Sequence, residues 1–270
     1  MSRPHSTRYT VAALLLLGLA VVVLVSLGQW QMRRSDERRA ILAAIEAGRK
    51  QAPLLLTPAT PPADMTPWRV AQASGTWLPQ FSVLLDNRNH DGRPGYWLAT
   101  PLLLDAATNR AVLVLRGWLP RVIQGQGEPQ LPATPEGMQT VQGELSVRVP
   151  RLFELWSLGG ADASALPAAL PVAGGAVPQV QNLPLDDYAR ATGLNLLPTV
   201  LSQGGQVADG LVRDWPQPSV DFQQNTSYAV QWFAFGAIAA IAWLVVLGGS
   251  IRRRRQRVDQ QAQARMRARR

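Results

Sequence analysis

The 270-residue sequence contains no cysteine, one lysine and two histidines. Without cysteine, the chain forms no disulfide and offers no thiolate nucleophile, iron–sulfur ligand or cysteine-bound zinc. The lysine, Lys50, follows Gly48-Arg49 and lacks the glycine spacing of a phosphate-binding loop. The histidines, His5 and His90, belong to no HExxH or paired-ligand pattern, so we predict no metal site.

Acidic and histidine side chains also form no catalytic pattern. His90 stands beside Asp86 and Asp91, where a solvated turn histidine is a better interpretation than a weak metal site. Asp186 and Asp187 are neighbours on a short predicted helix, where adjacent side chains point about 100° apart. Helix-end charge therefore explains them better than a catalytic pair. Since GxSxG and SxxK motifs are also missing, we predict that the protein is not an enzyme.

The net charge of +9 is concentrated at one end of the chain. Residues 252–270 hold nine arginines and one acid, whereas residues 1–251 carry a net charge of +1. A nucleic-acid-binding protein instead carries its basic residues across a folded face, often interleaved with aromatics. We therefore predict no nucleic-acid partner and interpret residues 252–270 as a cytoplasmic arginine-rich tail.

Two long apolar segments, residues 11–30 and 228–251, set the predicted topology. Neither contains a charged residue, and each is long enough to cross, or nearly cross, a hydrocarbon layer about 30 Å thick. The alternative for the first segment is a cleaved signal peptide, and for the second a buried core helix. We predict two transmembrane helices in contact with the lipid bilayer.

Arginine placement orients these helices. By the positive-inside rule the basic tail is cytoplasmic, which also returns residues 1–10 to the cytoplasm as a short stub. Residues 31–227 then form an extracytoplasmic domain. Four arginines between residues 33 and 39 conflict mildly with this orientation, although two acids lie among them.

Residues 31–227 are predicted to fold as a mainly antiparallel β domain of the α+β class. A helix is expected first, with Ser35 as its N-cap and Gly48 near its end. A short helix is expected at 185–192, and the Ala/Gly/Pro-rich residues 157–178 as a flexible insertion. The strand pattern occurs at 68–77, 81–87, 96–104, 111–119, 140–149, 194–202 and 206–213.

Arginine and tryptophan form the most distinctive motifs. Arg116-Gly117-Trp118 ends an apolar strand, and an arginine beside a tryptophan suits an anionic or aromatic partner. A strand-end arginine that caps local carbonyls is the plainer alternative. Trp30-Gln31 and Gln231-Trp232 flank the apolar segments, where the glutamines would hydrogen-bond each other if the helices pair. An interfacial tryptophan belt is the alternative there.

These motifs together resemble the Surfeit locus protein 1 family. Its members are cytochrome c oxidase assembly factors with two membrane helices enclosing an extracytoplasmic domain. The stretches that carry the resemblance are GQWQMRR (28–34), GYWLATP (95–101), VLVLRGWLPR (112–121), YARATG (188–193) and YAVQWFAF (228–235). They occur in the family's order and span most of the chain.

The resemblance implies a non-enzymatic chaperone in the bacterial inner (plasma) membrane, with both termini cytoplasmic and the central domain periplasmic. Its implied role is to assist haem A insertion or the maturation of subunit I of the respiratory-chain oxidase. The implied partners are subunit I and haem A synthase. The family-motif or partner-contact positions are Trp30, Gln31, Arg33, Arg116, Gly117, Trp118, Tyr228, Gln231 and Trp232.

Haem A is the cofactor that the resemblance implies, but its ligand is not found. In the family, a histidine just before the YARATG-like helix is proposed to bind haem. This sequence has Gln181 near that position and no histidine after residue 90. Both a haem carrier, with Arg33, Arg116 and Arg213 facing the propionates, and a scaffold without haem stay open. The alternatives from other classes are a two-span sensor and an envelope scaffold unrelated to oxidase.

Overall fold

The computed structural model describes residues 7–122, 129–152, 166–218 and 221–267. The chain divides into two compact units. The first, here called the helix pair, comprises Met1–Leu42 and Pro218–Arg270. The second, here called the β domain, comprises Ala43–Gln217.

The helix pair is built from the two longest helices. Helix α1 spans Thr7–Lys50, with its last residues in the β domain, and helix α3 spans Gln223–Arg267. Each contains an apolar segment long enough to cross a membrane, and only 6% of that segment is buried. Unburied apolar side chains on a long helix are what a lipid environment requires. Two such helices flank a mainly β domain, which confirms the predicted fold class.

Helix α1 continues through the position where the sequence predicts a new helix. Ser35 was expected to be an N-cap, and this prediction was wrong, because Ser35 lies inside α1 and is fully buried. Its hydroxyl donates to the Phe222 carbonyl oxygen at 3.3 Å and lies 2.9 Å from the Thr226 hydroxyl. Since no proline interrupts residues 28–50, the helical hydrogen bonds run on, and Ser35 finds its partners on the other chain segment.

Small residues bring the two helices together. A Cβ on Gly28 would lie 2.6 Å from the Phe233 ring, and one on Gly236 would lie 3.4 Å from Val25. Ala229 is fully buried in the same unit. Glycine and alanine are typical of membrane helix contacts, because they let the backbones approach closely.

In its described residues, the β domain contains eight strands and a short helix. The strands are β1 (Leu54–Leu56), β2 (Val70–Trp77), β3 (Val83–His90), β4 (Arg93–Asp105), β5 (Arg110–Pro120), β6 (Met138–Ser146), β7 (Gln179–Val180) and β8 (Asn195–Gln203). The helix, α2, spans Leu185–Thr192, as predicted, with Asp186 and Asp187 in its first turn and Gly193 beyond its end. Short 3₁₀ turns occur at Pro62–Asp64 and Pro79–Phe81.

Five of the strands close into a barrel. The sheet order is β1-β2-β6-β8-β5-β4-β3-β7, and an additional β2–β4 pairing joins Trp77 to Leu102. The closed ring is therefore β2-β6-β8-β5-β4. Most pairs are antiparallel, whereas β1–β2, β3–β7 and β5–β8 are parallel.

Strand β5 is buried on both faces. Residues 111–115 are all inaccessible to solvent. Val112 and Val114 pack in the cluster to which all five barrel strands contribute, whereas Leu113 and Leu115 pack in a second cluster with Tyr188 of α2. A strand covered on both sides has no polar face, which explains the unbroken apolar run AVLVL.

The β3–β4 connection is tighter than the sequence indicated. The predicted strands at 81–87 and 96–104 left eight residues between them, but the turn consists of Asp91 and Gly92, both with positive φ (47° and 74°). Two left-handed residues, Asp-Gly above all, give a turn whose twist matches a β-hairpin. The strands therefore extend to His90 and begin again at Arg93.

The predicted strand at 206–213 was wrong. Of these residues, Val212 makes one isolated bridge, with backbone bonds of 2.7 and 2.9 Å to Trp118. Gly205 and Gly210 have φ of +77° and +76°, and these angles turn the chain just before and within residues 206–213. Strand geometry does not admit such angles.

Part of the expected insertion packs against the β domain. Residues 153–165 lie outside the described residues. Within 166–178, Leu170 is buried in the second cluster, and its backbone N–H donates to the Ala191 carbonyl oxygen at 2.7 Å. The flexibility of this segment stays a prediction.

Candidate functional site

The predicted positions fall into the two units. Arg116, Gly117 and Trp118 belong to the β domain. The others belong to the helix pair, and they are Trp30, Gln31, Arg33, Tyr228, Gln231 and Trp232.

A bulge in β5 positions the Arg116-Gly117 step. Arg116 is an extra residue there, because its two neighbours pair with consecutive residues of β4. A bulge of this kind re-aims the side chain that it carries. Gly117 has a φ of +156°, and a Cβ there would lie 2.6 Å from Cβ of Leu211. Both the backbone angle and the space therefore require glycine.

The bulge directs Arg116 into the protein. The residue is 3% exposed, donates to the Thr134 hydroxyl at 3.0 Å, and stacks with Cζ 5.2 Å from the Trp77 ring centroid. Its Nη2 lies 3.7 Å from Oδ2 of Asp209. Burial lowers the pKa of Arg116, Asp209 opposes this effect, and the charge of Arg213 adds to it. Arg116 therefore braces the domain interior and does not cap a strand end.

Asp209 joins Arg116 to a second buried arginine. Both Nη atoms of Arg213 donate to the Asp209 carboxylate, Nη1 at 3.0 Å, and the side chains are 5% and 13% exposed. Burial raises the pKa of Asp209, but the hydrogen bonds from Arg213 and from the Leu211 N–H, with the charges of both arginines, outweigh it. The pKa of Asp209 is therefore below its usual value.

Sequence reasoning named Arg116 and Arg213 but missed Asp209. In the predicted strand, Asp209 and Arg213 would stand four residues apart, or about 13 Å. The turn at Gly210, with positive φ, brings them into contact instead. The available signal was that Asp209 is the only acid between Arg190 and Arg213, which does not distinguish a turn from a strand.

A cavity of about 630 Å³ lies beside Arg213. Its lining comes chiefly from residues 142–146 of β6 and residues 213–217, and it includes three tryptophans, Trp68, Trp97 and Trp215. Trp215 meets Trp97 edge-to-face at 5.3 Å and donates to the Gln203 carbonyl oxygen at 2.8 Å. Small-molecule sites have about this volume and this mixture of aromatic walls with few polar groups.

Arg49, near the end of α1, fixes part of the cavity wall. Its Nε donates to Oε2 of Glu144 at 2.9 Å, and its Nη2 donates to Oε1 of Gln217 at 2.7 Å. The guanidinium also lies 6.0 Å from the Trp68 ring centroid. Because Glu144, Gln217 and Trp68 all line the cavity, one arginine holds three of its wall residues in place.

Trp118 takes part in a separate buried cluster with Arg88. Its Nε1 donates to the Arg88 carbonyl oxygen at 2.7 Å, and the Arg88 guanidinium lies 4.5 Å from the Trp97 ring centroid. Burial lowers the pKa of Arg88 to about 10, against the opposing charge of Asp86. Arg88 Nη2 donates to the Gln181 carbonyl oxygen at 3.0 Å, so Gln181 serves this cluster through its backbone.

The sequence indicated that His90 is a solvated histidine in a turn, but the residue ends β3 and packs against Trp118. Its ring centroid lies 5.2 Å from that of Trp118, and its side chain is 21% exposed. Its Nε2 lies 3.5 Å from Oδ2 of Asp91. Within the described residues, no three His, Cys, Asp or Glu side chains gather in a way that would hold a metal ion.

In the helix pair, Gln31 has a different partner from the one expected. Its Oε1 accepts a hydrogen bond from Asn225 Nδ2 at 2.8 Å, so the predicted Gln31–Gln231 pair was wrong. Asn225 precedes the second motif, which is why the motif alone did not reveal it. Trp30 is 51% exposed and Tyr228 45%, so both aromatics present open surface. Arg33 and Gln231 are exposed as well, and Trp232 meets Phe235 edge-on at 6.3 Å.

The cavity suits the carboxylates and the flat ring of a haem group but not its iron. Arg213 and the tryptophans suit a carboxylate and a flat ring. Haem iron, however, needs histidine, methionine, cysteine or tyrosine, and none of these is among the described residues that line this cavity. His90 is not among its lining residues, and Gln181 contributes to the neighbouring cluster. The described residues therefore do not provide an iron site in this cavity.

Residues 18–237 match the model of the SURF1 family. The chain belongs to the SURF1 family. The match includes the bulge in β5, the barrel, and part of each apolar segment, residues 18–30 and 228–237.

SURF1-family relatives differ in how much of their length is matched. An uncharacterized SURF1-like protein of Mycobacterium tuberculosis is 25% identical over 256 residues, 90% of this chain and 85% of that protein. A SURF1-like protein of Rickettsia felis is 31% identical over 102 residues, 37% of this chain and 43% of that protein. The Saccharomyces cerevisiae protein named cytochrome oxidase assembly protein SHY1 is 30% identical over 95 residues, 34% of this chain and 24% of that protein.

Proposed function

We propose that this SURF1-family membrane protein is an assembly factor for cytochrome c oxidase. The observation that carries the proposal is the family match over residues 18–237, together with a yeast relative named as a cytochrome oxidase assembly protein. None of these relatives is named as an enzyme. The proposed action is non-enzymatic, and the protein works by holding partners.

The proposed stage of action is the maturation of subunit I, when haem A enters it. A scaffold that holds subunit I at this stage agrees with the cavity chemistry better than a haem carrier does. The cavity supplies arginine and indole groups but no iron ligand. Haem A synthase is proposed as the second partner, because the product of that enzyme must reach subunit I.

The proposed docking surface lies on the helix pair. Trp30 and Tyr228 are 51% and 45% exposed within the two motifs, and Gln231 is exposed beside them. Exposed aromatics next to polar groups are favourable anchors for a protein partner. Trp30→Ala and Tyr228→Ala are therefore expected to weaken binding of the partners without unfolding the β domain.

We further propose a location in the bacterial inner membrane, with both termini in the cytoplasm and the β domain in the periplasm. The support is the run of four arginines directly after Ile251 at the end of the second apolar segment. With the C-terminus in the cytoplasm and two membrane crossings, the β domain, which lies within residues 31–227, would be periplasmic.

Deletion of the gene tests the function class. Membranes of the deletion strain are expected to lose the haem A band in reduced-minus-oxidised spectra, while haem B and haem C bands persist. Complementation with the intact gene should restore the band. A deletion strain with normal oxidase activity and a normal haem A band would contradict the proposal.

Purification separates the scaffold from a haem carrier. The tagged protein is expected to retain subunit I and haem A synthase, and to be purified without a Soret band. Trp30→Ala with Tyr228→Ala should lose both partners, whereas Arg190→Ala, an exposed change in α2, should keep them. Stoichiometric haem A on the purified protein would overturn the scaffold in favour of the carrier.

A further inference from the structure

Four arginines follow the first apolar segment directly on helix α1. They lie within the helix pair, and they are Arg33, Arg34, Arg38 and Arg39. The docking surface proposed above uses aromatic and glutamine side chains of this unit and gives these cations no function. In the proposed topology they stand at the extracytoplasmic end of α1, where the positive-inside rule makes basic residues scarce.

The spacing of charges along α1 places the first two arginines at the membrane surface. No charged residue occurs between Arg8 and Arg33, and the 25 residues from one to the other rise by about 38 Å in an α-helix. A bilayer is about 30 Å thick across its hydrocarbon and about 40–45 Å thick with its headgroups. When Arg8 lies in one headgroup layer, Arg33 and Arg34 therefore lie at the depth of the lipid phosphates in the other.

Arg33 and Arg34 also lack a protein partner. Both are exposed, and among the described residues neither makes an ion pair, a hydrogen bond or a ring contact. By contrast, Arg38 and Arg39 both donate hydrogen bonds to residues 221–226, at the start of the segment that contains α3. The two arginines nearest the apolar segment are therefore the ones available to a ligand.

The acidic side chains of α1 lie farther from the membrane than these two arginines. Asp36 and Glu37 follow Arg33 by three and four residues, which is a rise of about 5–6 Å. Asp36 is already paired, since its Oδ1 lies 3.5 Å from Nη1 of Arg39. Within the described part of the chain, Glu37 forms no ion pair with Arg33 or Arg34. The positive charge next to the apolar segment is therefore not cancelled on α1.

Helix α3 brings no acidic side chain to this depth. It carries no charged residue from Gln223 to Ile251. Asp221, which precedes α3, accepts a hydrogen bond on its backbone oxygen from Arg38, and Arg38 stands about 7 Å beyond Arg33 along α1. The four arginines and three acids at this end of the helix pair leave a net positive charge, and that charge is concentrated at the membrane surface.

We propose that Arg33 and Arg34 bind the headgroups of anionic phospholipids in the monolayer that surrounds this end of α1. A guanidinium donates parallel hydrogen bonds to two phosphate oxygens, and both arginines are exposed to do so. A zwitterionic headgroup carries a cation of its own, whereas an anionic headgroup neutralises the arginines, so the anionic lipid is preferred. The inference goes beyond the oxidase-assembly function and does not depend on it.

Fluorescence quenching by brominated lipids tests the site in the full chain. Since the chain has no cysteine, Gln29→Cys, at an exposed position one turn before Arg33, accepts a single fluorophore. The labelled protein is placed in nanodiscs of phosphatidylcholine and phosphatidylglycerol, in which one lipid or the other carries bromine on its acyl chains. Bromine quenches on contact, so the probe reports the lipids beside it and not those at the opposite end of α1.

The expected result is a preference for the anionic lipid. At equal mole fraction, brominated phosphatidylglycerol should quench about threefold more strongly than brominated phosphatidylcholine, because each surface arginine attracts anionic lipid. The ratio should fall toward one in 1 M NaCl, where the Debye length is about 3 Å. Equal quenching by the two lipids, or a preference that 1 M NaCl leaves unchanged, would overturn the proposal.

Charge variants locate the preference. Arg33→Gln with Arg34→Gln should bring the quenching ratio to about one, whereas the two lysine substitutions at these positions should retain most of it. The matched control is Arg93→Gln with Arg190→Gln, which removes two exposed arginines of the β domain and should leave the ratio unchanged. If the double glutamine variant fails to fold, each single glutamine variant should still lower the ratio. A preference that survives in the glutamine variants would overturn the proposal.

Because quenching uses purified protein, its result is separate from the oxidase content of a deletion strain. Equal quenching together with a loss of haem A in that strain removes the lipid site alone. A lipid preference together with unchanged oxidase removes the assembly function alone. Equal quenching with loss of the purified partners in the glutamine variant would assign the two arginines to a protein contact and overturn the lipid site.

Discussion

At the scale of single residues, Gly117 combines a special backbone angle with a lack of space. We expect Gly117→Ala to lower the free energy of unfolding by about 2–4 kcal/mol, since strained φ alone costs about 1–3 kcal/mol and the contact with Leu211 adds to it. Thermal unfolding of the purified protein, followed by circular dichroism, measures the effect. The control is Gly204→Ala, whose Cβ would meet no atom closer than 3.9 Å. A Gly117→Ala variant with the same melting temperature as Gly204→Ala would contradict this account.

Asp209 makes the stability of the β domain depend on pH. Its pKa is lowered in the folded protein, so its contribution to stability is present above the unfolded pKa of about 3.9 and is lost as the pH falls through the lower folded value. Asp209→Asn removes the one carboxylate that two buried arginines share, and should cost about 3–5 kcal/mol near neutral pH.

The pH profile of this variant checks that prediction. The difference in melting temperature between wild type and Asp209→Asn should be largest near pH 7 and shrink below about pH 4. Asp187→Asn, which removes a half-exposed partner of Arg190, should change stability by less than about 1 kcal/mol. A constant difference from pH 7 to pH 3 would show that the Asp209 carboxylate is not the stabilising group.

At the scale of elements, the contact between α1 and α3 can be tested by disulfide formation, because the chain has no cysteine of its own. The side chains of Gln31 and Asn225 are joined by a hydrogen bond of 2.8 Å. Gln31→Cys with Asn225→Cys should therefore crosslink in membranes under mild oxidation. Gln31→Cys with Gln231→Cys is the comparison, and it should give at least a fivefold lower yield on gels.

A second change in the same background tests the packing at Gly28. Since a Cβ there would lie 2.6 Å from the Phe233 ring, Gly28→Val should separate the helices locally and reduce the yield of the 31–225 disulfide. Phe233→Ala should restore it by making room. An unchanged yield in Gly28→Val would show that this contact does not set the helix spacing.

The sequence predicted elements well where one local pattern determined them. Strand-forming residues bounded by turns located β2, β4, β5 and β8 to within a few residues, and α2 ended at the expected Gly193. The prediction failed where one sequence pattern is compatible with two local structures. Ser35 followed by two acids resembles a helix start, yet the same residues continue α1 because a partner hydroxyl on α3 satisfies the serine.

The candidate site was predicted less completely, because it depends on contacts distant in sequence. The Arg116-Gly117-Trp118 motif was predicted to face an anionic or aromatic partner, which stays a prediction; the bulge at this motif was not predicted. Burial of Arg116 could not be predicted, since Asp209 becomes its neighbour only when residues 204–217 turn across the sheet. Likewise the β2–β4 pairing that closes the barrel leaves no mark in the alternation of either strand.

At the scale of the whole molecule, topology is the prediction that links the helix pair to the β domain. Alkaline phosphatase inserted at Gly137, an exposed turn with no neighbour within 4 Å, should be active, and green fluorescent protein after Arg270 should be fluorescent. The intact mass of the purified protein should include residues 1–30. An inactive phosphatase, or a mature chain that begins after Gly28, would contradict two membrane crossings.

The position of β8 in the barrel means that the barrel closes late in synthesis. This strand is the last of the eight along the chain, yet it lies between β6 and β5, which are made earlier. During synthesis, the edges of β5 and β6 that β8 covers therefore stay unpaired until residues 195–203 are made, and exposed edges invite pairing with other chains. We therefore expect a chain truncated before Asn195 to leave the barrel open and to aggregate.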